Sequence, residues 1–334
     1  MTNRNRQYLL ERLPEGRLTP DCFRLVETDL PVPKDGEVLV KVHTLGIDAA
    51  ARAWMNGATY RDALKKGTLM AGRAVADVVE SRHSGFAPGD RVFAETGWQD
   101  YAAIAGDALT MLPLDIPVSQ LLSIFGVSGL TAYFGLTEVA RAGAGDTVVI
   151  SAAAGAVGNI VGQIAKILGC RVVGVAGTDD KCNYLTGQLG FDAAINYRSD
   201  DVPGRLQALC PGGIDVYFDN VGGELLAAAI EQMNINGRIA CCGAVANYDS
   251  GSAPTAGPAG VPLQLVIKRL TLRGFIVSDF FDRRTEALEQ LRTWLDEGRL
   301  QPVVDMLEGF EQLPAALVGL LQGCNVGKRM VRIN

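Results

Sequence analysis

The chain has 334 residues, and its 31 lysine and arginine residues are outnumbered by 37 aspartate and glutamate residues, giving a formal net charge of -6. A chain of this length usually divides into two structural units, because a single hydrophobic core stops growing at about 250–300 residues. Hydrophobic residues make up 48% and charged residues 20%, which excludes disordered and fibrous classes. The basic residues are not concentrated in one stretch, so we expect no nucleic-acid partner.

The sequence contains no signal for export or membrane insertion. Residues 1–12 are polar and charged, and no later run approaches the roughly 20 apolar residues that a membrane-spanning helix needs. The seven cysteines are odd in number and scattered, which favours reduced thiols over a disulfide framework. We therefore expect a cytoplasmic protein with no membrane partner.

The first part of the chain is predicted to be rich in β-strands. Residues 37–42 alternate in hydrophobicity, residues 88–90 (Pro-Gly-Asp) give a turn signal, and residues 91–94 resume the strand pattern. This character extends over residues 23–112, and helical periodicity follows at 121–138.

Apolar runs and helical stretches then alternate along the chain. Strands are predicted at 147–152, 171–176, 194–195, 215–219, 238–243 and 272–277, and helices at 158–168, 181–189, 204–209, 223–233 and 284–297. This alternation indicates an α/β fold with a doubly wound parallel sheet, in which helices cross over between buried strands.

The last residues are predicted to return to the first unit, with a helix at 314–321 and a strand at 329–333. Residues 249–262 are rich in glycine, proline, serine and alanine, so we predict a mobile loop there. This loop follows the end of a strand, where α/β sheets bind ligands.

The strongest chemical signal is the stretch 147–162, an apolar strand followed by small residues and then a helix. Gly155 and Gly158 allow a tight turn and a close approach of the backbone to a pyrophosphate at the positive end of the helix, and Gly162 allows close helix–strand packing. The usual first glycine is replaced by Ala152 or Ala153. The alternative is a purely structural turn, but the strand–turn–helix context favours a dinucleotide site.

The end of the second strand bears on the choice between NAD and NADP. NAD enzymes place an acidic residue there for the adenosine ribose, whereas this chain has Gly177 and Thr178. Asp179 and Asp180 follow, and their ordinary role is to cap the next helix. Lys181 is then placed to meet a 2′-phosphate, although a solvated surface lysine is the alternative, so the pattern leans to NADP.

Metal and hydrolase chemistry find little support in the sequence. His43 and His83 are the only histidines, and neither sits in a cluster with metal-ligand spacing, so we expect no zinc and no other metal. No Gly-x-Ser-x-Gly segment follows a strand, which argues against a serine hydrolase.

Several motifs together resemble one family. They are AAAGAVG at 152–158, GTDDK at 177–181, NY at 196–197, DNVGG at 219–223 and CG at 242–243. The sequence looks like the leukotriene 12-hydroxydehydrogenase/prostaglandin reductase family, a zinc-independent branch of the medium-chain dehydrogenases/reductases that includes alkenal double-bond reductases and curcumin-reductase-like enzymes. The likeness covers nearly the whole chain, from NRQ at 5–7 to NVGK at 325–328.

This resemblance implies a fold, a reaction and a homodimer. The family has a GroES-like β-rich catalytic domain, here residues 1–125 plus 301–334, and a Rossmann NADP-binding domain, here residues 126–300. It reduces the carbon–carbon double bond of α,β-unsaturated aldehydes and ketones with NADPH. The implied substrate is thus a small conjugated carbonyl compound. A quinone reductase and a non-catalytic NADPH-binding protein are the alternatives.

The resemblance also implies site residues. Lys181 and Tyr197 would hold the 2′-phosphate, and Tyr248 would lie nearest the nicotinamide ribose and the substrate oxygen, or else be a loop tyrosine that closes the cleft. The remaining cofactor-binding residues would be Gly155, Ala156, Val157 and Gly158 at the pyrophosphate, Asn220, Cys242 and Gly243 along the dinucleotide, and Phe275, Ile276, Val277 and Asn325 beside the nicotinamide half.

Two positions depart from the family pattern. The family's Asp-Pro-Tyr-Met-Arg segment is DAAAR at 48–52 here, so Ala50 replaces a cleft tyrosine. Ile267 stands where members often carry a second tyrosine that contacts the substrate. We therefore expect a wider and more apolar cleft, with hydride transfer unaffected.

Overall fold

The structure of the protein is a computed structural model, which describes residues 4–249 and 260–333. Two large β-sheets dominate it: a mainly antiparallel sheet from both ends of the chain, and a parallel sheet from its middle. A search of these residues finds no helix with the length and apolar character needed to cross a membrane. Most of the loop predicted at 249–262 lies outside the described residues.

The described residues contain the following strands and helices. The strands are β1 (Arg4–Leu10), β2 (Phe23–Asp29), β3 (Glu37–Gly46), β4 (Arg73–Ser81), β5 (Arg91–Glu95), β6 (Tyr101–Ala105), β7 (Thr110–Leu112), β8 (Thr147–Ile150), β9 (Arg171–Ala176), β10 (Ala193–Asn196), β11 (Ile214–Asp219), β12 (Met233–Cys241), β13 (Thr271–Gly274), β14 (Val304–Glu308) and β15 (Lys328–Arg332). The α-helices are α1 (Ala50–Asn56), α2 (Val118–Leu122), α3 (Val127–Phe134), α4 (Gly158–Ile167), α5 (Asp179–Gly187), α6 (Val202–Leu209), α7 (Gly223–Gln232), α8 (Val261–Lys268), α9 (Arg284–Asp296) and α10 (Leu313–Leu321).

The first sheet has the order β14-β15-β3-β4-β5-β7, and β6 pairs with β3. Strand β15 runs antiparallel to β3, with Met330 opposite Gly46, so the C-terminal segment returns to the first unit as predicted. Strands β1 and β2 form a separate antiparallel pair. Tyr8, Trp54, Trp98 and Phe310 belong to the apolar core that joins these strands to α1 and α10.

The parallel sheet has the order β10-β9-β8-β11-β12-β13. The order reverses direction between β8 and β11, which leaves a crevice at the carboxyl ends of these two strands. Every strand pairing in this sheet is parallel, and β8 and β9 are largely buried, which explains their continuous apolar runs. The predicted α/β class with a doubly wound sheet is therefore confirmed.

Gly162 shows why small residues recur in α4. A Cβ atom built on Gly162 would lie 1.9 Å from the ring of Phe191, and one built on Gly174 in β9 would lie 3.0 Å from the same ring. The missing side chains make room for an aromatic ring that fills the space between α4 and β9. The sequence analysis assigned Gly162 to direct helix–strand contact, and the structure gives this space to Phe191.

Several predicted bounds need correction. Strand β8 ends at Ile150 rather than at residue 152, and β13 ends at Gly274 rather than at 277. The sequence analysis missed β1, β14, α1 and α8. The bounds of β9 match the prediction.

A buried ion pair fixes the end of β3 to β15. Lys328 has a side-chain exposure of 4%, donates to the Asp48 carboxylate, and also donates to the Ile47 carbonyl at 3.2 Å. Burial opposes ionisation of Asp48, but the charge and hydrogen bond of Lys328 more than offset this and hold its pKa below the ordinary value.

Candidate active site

The glycine-rich turn after β8 has the geometry of a phosphate-binding loop. Ala152 adopts a φ of +48°, so it takes the position of the missing first glycine. Its carbonyl accepts the N–H of Gly155 at 2.9 Å. A Cβ on Gly158 would lie 2.4 Å from the Ala152 oxygen, so only glycine fits there. Helix α4 begins at Gly158, so its positive end lies at the turn.

The segment before β15 contacts this turn. The Gly327 N–H donates to the Ala154 carbonyl at 2.8 Å, and Gly155 and Gly327 form a parallel bridge. Gly327 has a φ of +75°, and a Cβ there would lie 2.1 Å from the carbonyl oxygen of Val303. Asn325 is buried and donates its side-chain amide to the Gly327 carbonyl at 2.8 Å. This bond fixes the Asn325 side chain within the segment before β15.

Lys181 and Tyr197 lie together at the ends of β9 and β10. A Cβ on Gly177 would lie 3.0 Å from the Tyr197 ring. The Lys181 ammonium donates to the Gly323 carbonyl at 2.7 Å. Burial, and then the nearby charge of Arg198, lowers the pKa of Lys181. The sequence analysis placed helix capping on Asp179 and Asp180. Both aspartates do lie in the first turn of α5, where negative charge suits the helix dipole, but the side-chain cap is the hydroxyl of Thr178, which accepts the Lys181 N–H.

Arg198 is a site residue that the sequence analysis missed. Its guanidinium carbon lies 5.7 Å from the centroid of the Tyr197 ring, and its Nη2 donates to the Gln322 carbonyl at 3.1 Å. Lys181 and Arg198 thus both donate to main-chain carbonyls beyond the end of α10, not to carboxylates. The only sequence signal was a second basic residue directly after Tyr197.

A buried polar network fixes the turn after β11. Asp219 accepts hydrogen bonds from the Ser151 hydroxyl at 3.1 Å and from the N–H groups of Val221 at 3.1 Å and Gly222 at 2.9 Å. Burial raises the pKa of Asp219. Asn220 donates its side-chain amide to the Ser151 carbonyl at 2.7 Å. This bond fixes the Asn220 side chain at the carboxyl end of β8.

Tyr248 lies in the turn that follows β12, next to α1. Its hydroxyl oxygen accepts the N–H of Ala244 at 3.2 Å, and its carbonyl accepts the side-chain amide of Asn56 at 3.0 Å. Burial raises its pKa, so the phenol stays protonated at neutral pH. Because the oxygen accepts from Ala244, the O–H hydrogen is available to donate elsewhere.

Cys242 and Gly243 lie between β12 and Tyr248. The N–H groups of both residues donate to the Asp219 carbonyl, at 2.8 and 3.1 Å. Burial raises the pKa of the Cys242 thiol to about 12, so it is not a nucleophile. A Cβ on Gly243 would lie 3.1 Å from the Asn220 carbonyl oxygen and 3.4 Å from the Tyr248 hydroxyl, so Gly243 lies between these two groups.

Phe275, Ile276 and Val277 lie beyond the end of β13 rather than within it. Phe275 packs edge-on against Phe218, with 6.3 Å between ring centroids. Phe275 and Val277 both contact the core of the parallel sheet. Both side chains therefore pack against the core at the carboxyl end of β13.

The two positions that depart from the family pattern differ in their exposure to solvent. Ala50 is half-buried against the core of the β-rich sheet, whereas Ile267 on α8 is exposed. A cavity of about 350 Å³ lies beside residues 61–72 and 95–97. Its charged lining residues are Arg61, Asp62, Lys65 and Glu95, and neither Ala50 nor Ile267 borders it.

The structure gives no sign of a metal centre within the residues it describes. No three histidine, cysteine, aspartate or glutamate side chains among them are grouped so that they could hold an ion. His43 Nδ1 is 2.8 Å from the hydroxyl of Thr44, and His83 Nδ1 accepts the N–H of Gly85 at 3.0 Å. Both histidines are therefore engaged locally.

Comparisons with known proteins agree with this architecture. Residues 6–112 match a family model described as the N-terminal domain of oxidoreductase, and residues 156–295 match one described as zinc-binding dehydrogenase. The fold and the crevice thus define a medium-chain dehydrogenase/reductase.

Full-length relatives narrow this class. Prostaglandin reductase 1 of Mus musculus is 43% identical, with 98% of each chain covered. NADPH-dependent curcumin reductase of Escherichia coli (strain K12) is 39% identical, with 99% of this chain and 97% of the relative covered. The crystal structure of CurA from Vibrio vulnificus in complex with NADPH superposes with a TM-score of 0.94 at 38% identity, covering 98% and 99%. The chain belongs to the zinc-independent prostaglandin, curcumin and 2-alkenal reductase family.

Proposed function

We propose that the protein is an NADP-dependent oxidoreductase that reduces the carbon–carbon double bond of α,β-unsaturated ketones and aldehydes. One observation carries the proposal: the glycine turn, the Lys181 and Arg198 cations and the Tyr248 phenol lie along the carboxyl edge of one parallel sheet. The names of the relatives given above support both the cofactor and the substrate class.

The residues present fit NADPH. The close approach at Gly158 and the N-terminus of α4 suit the pyrophosphate. Lys181, Tyr197 and Arg198 suit a 2′-phosphate, because two cations and a phenol lie close to Gly177, the position at which NAD enzymes carry an acidic residue for the ribose. Ala156 and Val157 in the turn would lie at the pyrophosphate, and Asn220 along the dinucleotide. Asn325 and the main chain of Ile276 would line the nicotinamide half.

The chain's own residues would act mainly by orientation and charge stabilisation. Bound NADPH supplies a hydride, which adds to the β-carbon of the substrate. Negative charge then develops on the carbonyl oxygen, and the free O–H hydrogen of Tyr248 is placed to meet it. The α-carbon takes its proton from water, so no further acid is needed from the chain.

The test of this function is a panel of enones, enals and quinones, with NADPH oxidation followed by absorbance. We expect enones and enals to be reduced to saturated carbonyl compounds, with deuterium from labelled NADPH at the β-carbon. An allylic alcohol as product, or oxidation with quinones alone, would contradict the proposal. NADPH binding with no turnover of any acceptor would favour a binding protein.

Replacing Tyr248 with phenylalanine tests the donor. We expect kcat to fall about 10-fold to 100-fold with KM little changed, because the hydroxyl acts as the negative charge develops. Steady-state kinetics with one enone measure this, and Tyr184→Phe on α5 is the matched control. If kcat is unchanged for several acceptors, the residue only closes the cleft, and Tyr60 or Tyr101 become the next candidates.

Chelation should leave the enzyme intact. Because the described residues offer no metal-binding group, we expect activity with an enone to persist after dialysis against a strong chelator. Elemental analysis gives the independent check. Stoichiometric zinc that is lost together with activity would show this expectation to be wrong.

We also propose a division into two units and a homodimer. Helix α2 contacts β4, whereas α3 contacts α4 and α9, which supports a boundary near residue 125. Among the residues that the structure describes, strand β13 forms one edge of the parallel sheet. Beside it, α8 exposes Leu263 (60%), Val266 (74%) and Ile267 (54%), an apolar face that a second copy would cover.

Val266→Glu tests the homodimer. We expect the variant to be monomeric by light scattering, because a buried carboxylate at the interface would be unpaired. Met111→Glu, at another exposed apolar site, on β7, should leave the assembly unchanged. A dimer that survives Val266→Glu would place the interface elsewhere.

The state of the cysteines is consistent with a reducing compartment. All seven cysteines lie within the described residues, and none forms a disulfide. We therefore propose a cytoplasmic location, where thiols stay reduced.

A further inference from the structure

Arg52 on α1 is an almost completely buried cation, with 1% of its surface exposed. Its Nε donates to the Asp249 carboxylate at 2.8 Å, and its Nη2 donates to the Gly16 carbonyl at 2.8 Å. Its Nη1 donates to the side-chain oxygen of Asn56. The planar guanidinium therefore fixes three partners in one geometry, which a lysine could not do.

Asp249 links a further segment to this arginine. The same carboxylate oxygen that binds Arg52 accepts the N–H of Leu18 at 2.7 Å. The loop around residues 16–18, helix α1 and the segment leaving β12 thus meet at one ion pair. A buried ion pair adds little net stability compared with apolar residues of the same size. The function of this pair is therefore sought in its directional geometry.

The ion pair lies directly beside Tyr248. Tyr248 directly precedes Asp249, and Asn56, itself bound by Arg52, donates to the Tyr248 carbonyl. The far end of the side chain meets Ala244 at 3.2 Å. The main chain of Tyr248 is thus hydrogen-bonded to α1, and its hydroxyl is hydrogen-bonded to the turn after β12.

We propose that Arg52 and Asp249 are positioning residues, whose ion pair fixes Tyr248 across the cleft so that its hydroxyl stands ready for the acceptor carbonyl. The inference rests on the proposed function, in which Tyr248 is the donor. A preoriented donor needs no rearrangement as charge develops, and a displacement of about 1 Å can cost roughly 100-fold in rate.

A double-mutant cycle with an enone substrate tests the proposal. Asp249→Asn should lower kcat about 10-fold or more and leave the Kd for NADPH within about twofold. In a Tyr248→Phe background the same change should alter kcat less than about twofold, because the group it positions is gone. A loss of equal size in both backgrounds, or no loss in either, would overturn the proposal.

Two further variants separate positioning from folding. Arg52→Gln combined with Asp249→Asn leaves no unpaired buried charge, so it should fold, and it should lose kcat as Asp249→Asn does. Asp100→Asn is the matched control, because Asp100 binds Arg6 at 2.8 Å away from Tyr248, and its kcat should stay within about twofold of the wild type. A double variant with wild-type kcat would overturn the proposal.

A substrate-free measurement distinguishes this inference from the proposed function. In protein labelled with 3-fluorotyrosine, the ¹⁹F resonance lost in Tyr248→Phe belongs to Tyr248. That resonance should shift in Asp249→Asn and stay in place in Asp100→Asn. An unmoved resonance overturns the inference even if enones are reduced. If no enone is reduced, the proposed function fails, and the shift of the resonance still decides whether the ion pair positions Tyr248.

Discussion

Replacing both Lys181 and Arg198 with alanine should weaken NADPH binding about 100-fold or more and leave NADH binding within about twofold. Hydrogen bonds to charged groups contribute roughly 1.5–3 kcal/mol each, and about 1.4 kcal/mol corresponds to a factor of ten. Only NADPH carries the 2′-phosphate that these cations would meet. Titration of intrinsic fluorescence with each cofactor measures the two dissociation constants.

The single variants and a control sharpen this expectation. Lys181→Ala alone should weaken NADPH about tenfold or more, and Arg198→Ala should do the same if both cations meet the phosphate. Lys166→Ala is the matched control, because Lys166 on α4 is paired with Asp192 at 2.9 Å. Equal weakening of NADPH and NADH would refute the phosphate role of either residue.

Asp48→Asn should lower the free energy of unfolding by about 3 kcal/mol. The change leaves Lys328 charged and buried without its partner, and breaking buried pairs costs roughly 3–5 kcal/mol. The lower end applies because the Asp48 side chain is 34% exposed. Urea unfolding followed by fluorescence measures the difference. Asp48→Asn combined with Lys328→Met should recover most of the loss, and a double variant as unstable as the single would contradict this account.

The same pair predicts a pH dependence. The folded pKa of Asp48 is lowered from its ordinary value of 3.8, so its stabilising effect is fully present above that value and is lost as the pH falls through the folded pKa. The stability difference between wild type and Asp48→Asn should therefore be constant near neutral pH and shrink in acid. A difference that grows on acidification would contradict the lowered pKa.

The sequence predicted the parallel sheet well, because buried parallel strands are continuous apolar runs. The bounds of β9 were correct for this reason. Strands β1 and β14 were missed, because the buried, half-buried and exposed residues along them follow neither a continuous nor a strictly alternating order. The end of β8 was placed two residues late because Ala152 is apolar, although its backbone has already turned to a positive φ.

The residues of the candidate site also fall into some that the sequence could predict and some that it could not. The glycine turn and Lys181 could be predicted, because their chemistry depends on short spacings after a strand. The contact of Arg198 with Gln322 spans 124 positions, and that of Arg52 with Asp249 spans 197. No local pattern encodes such separations, so these residues became visible only in the folded chain.

The pairing of β15 with β3 has a consequence for biosynthesis. The strand that completes the β-rich sheet is made about 280 positions after the end of β3, as the Asp48–Lys328 contact shows. All six strands of the parallel sheet leave the ribosome between these two partners. We therefore expect the parallel sheet to fold first during translation, while the earlier strands keep an unpaired edge at residues 44–46 of β3 until the last strand is made.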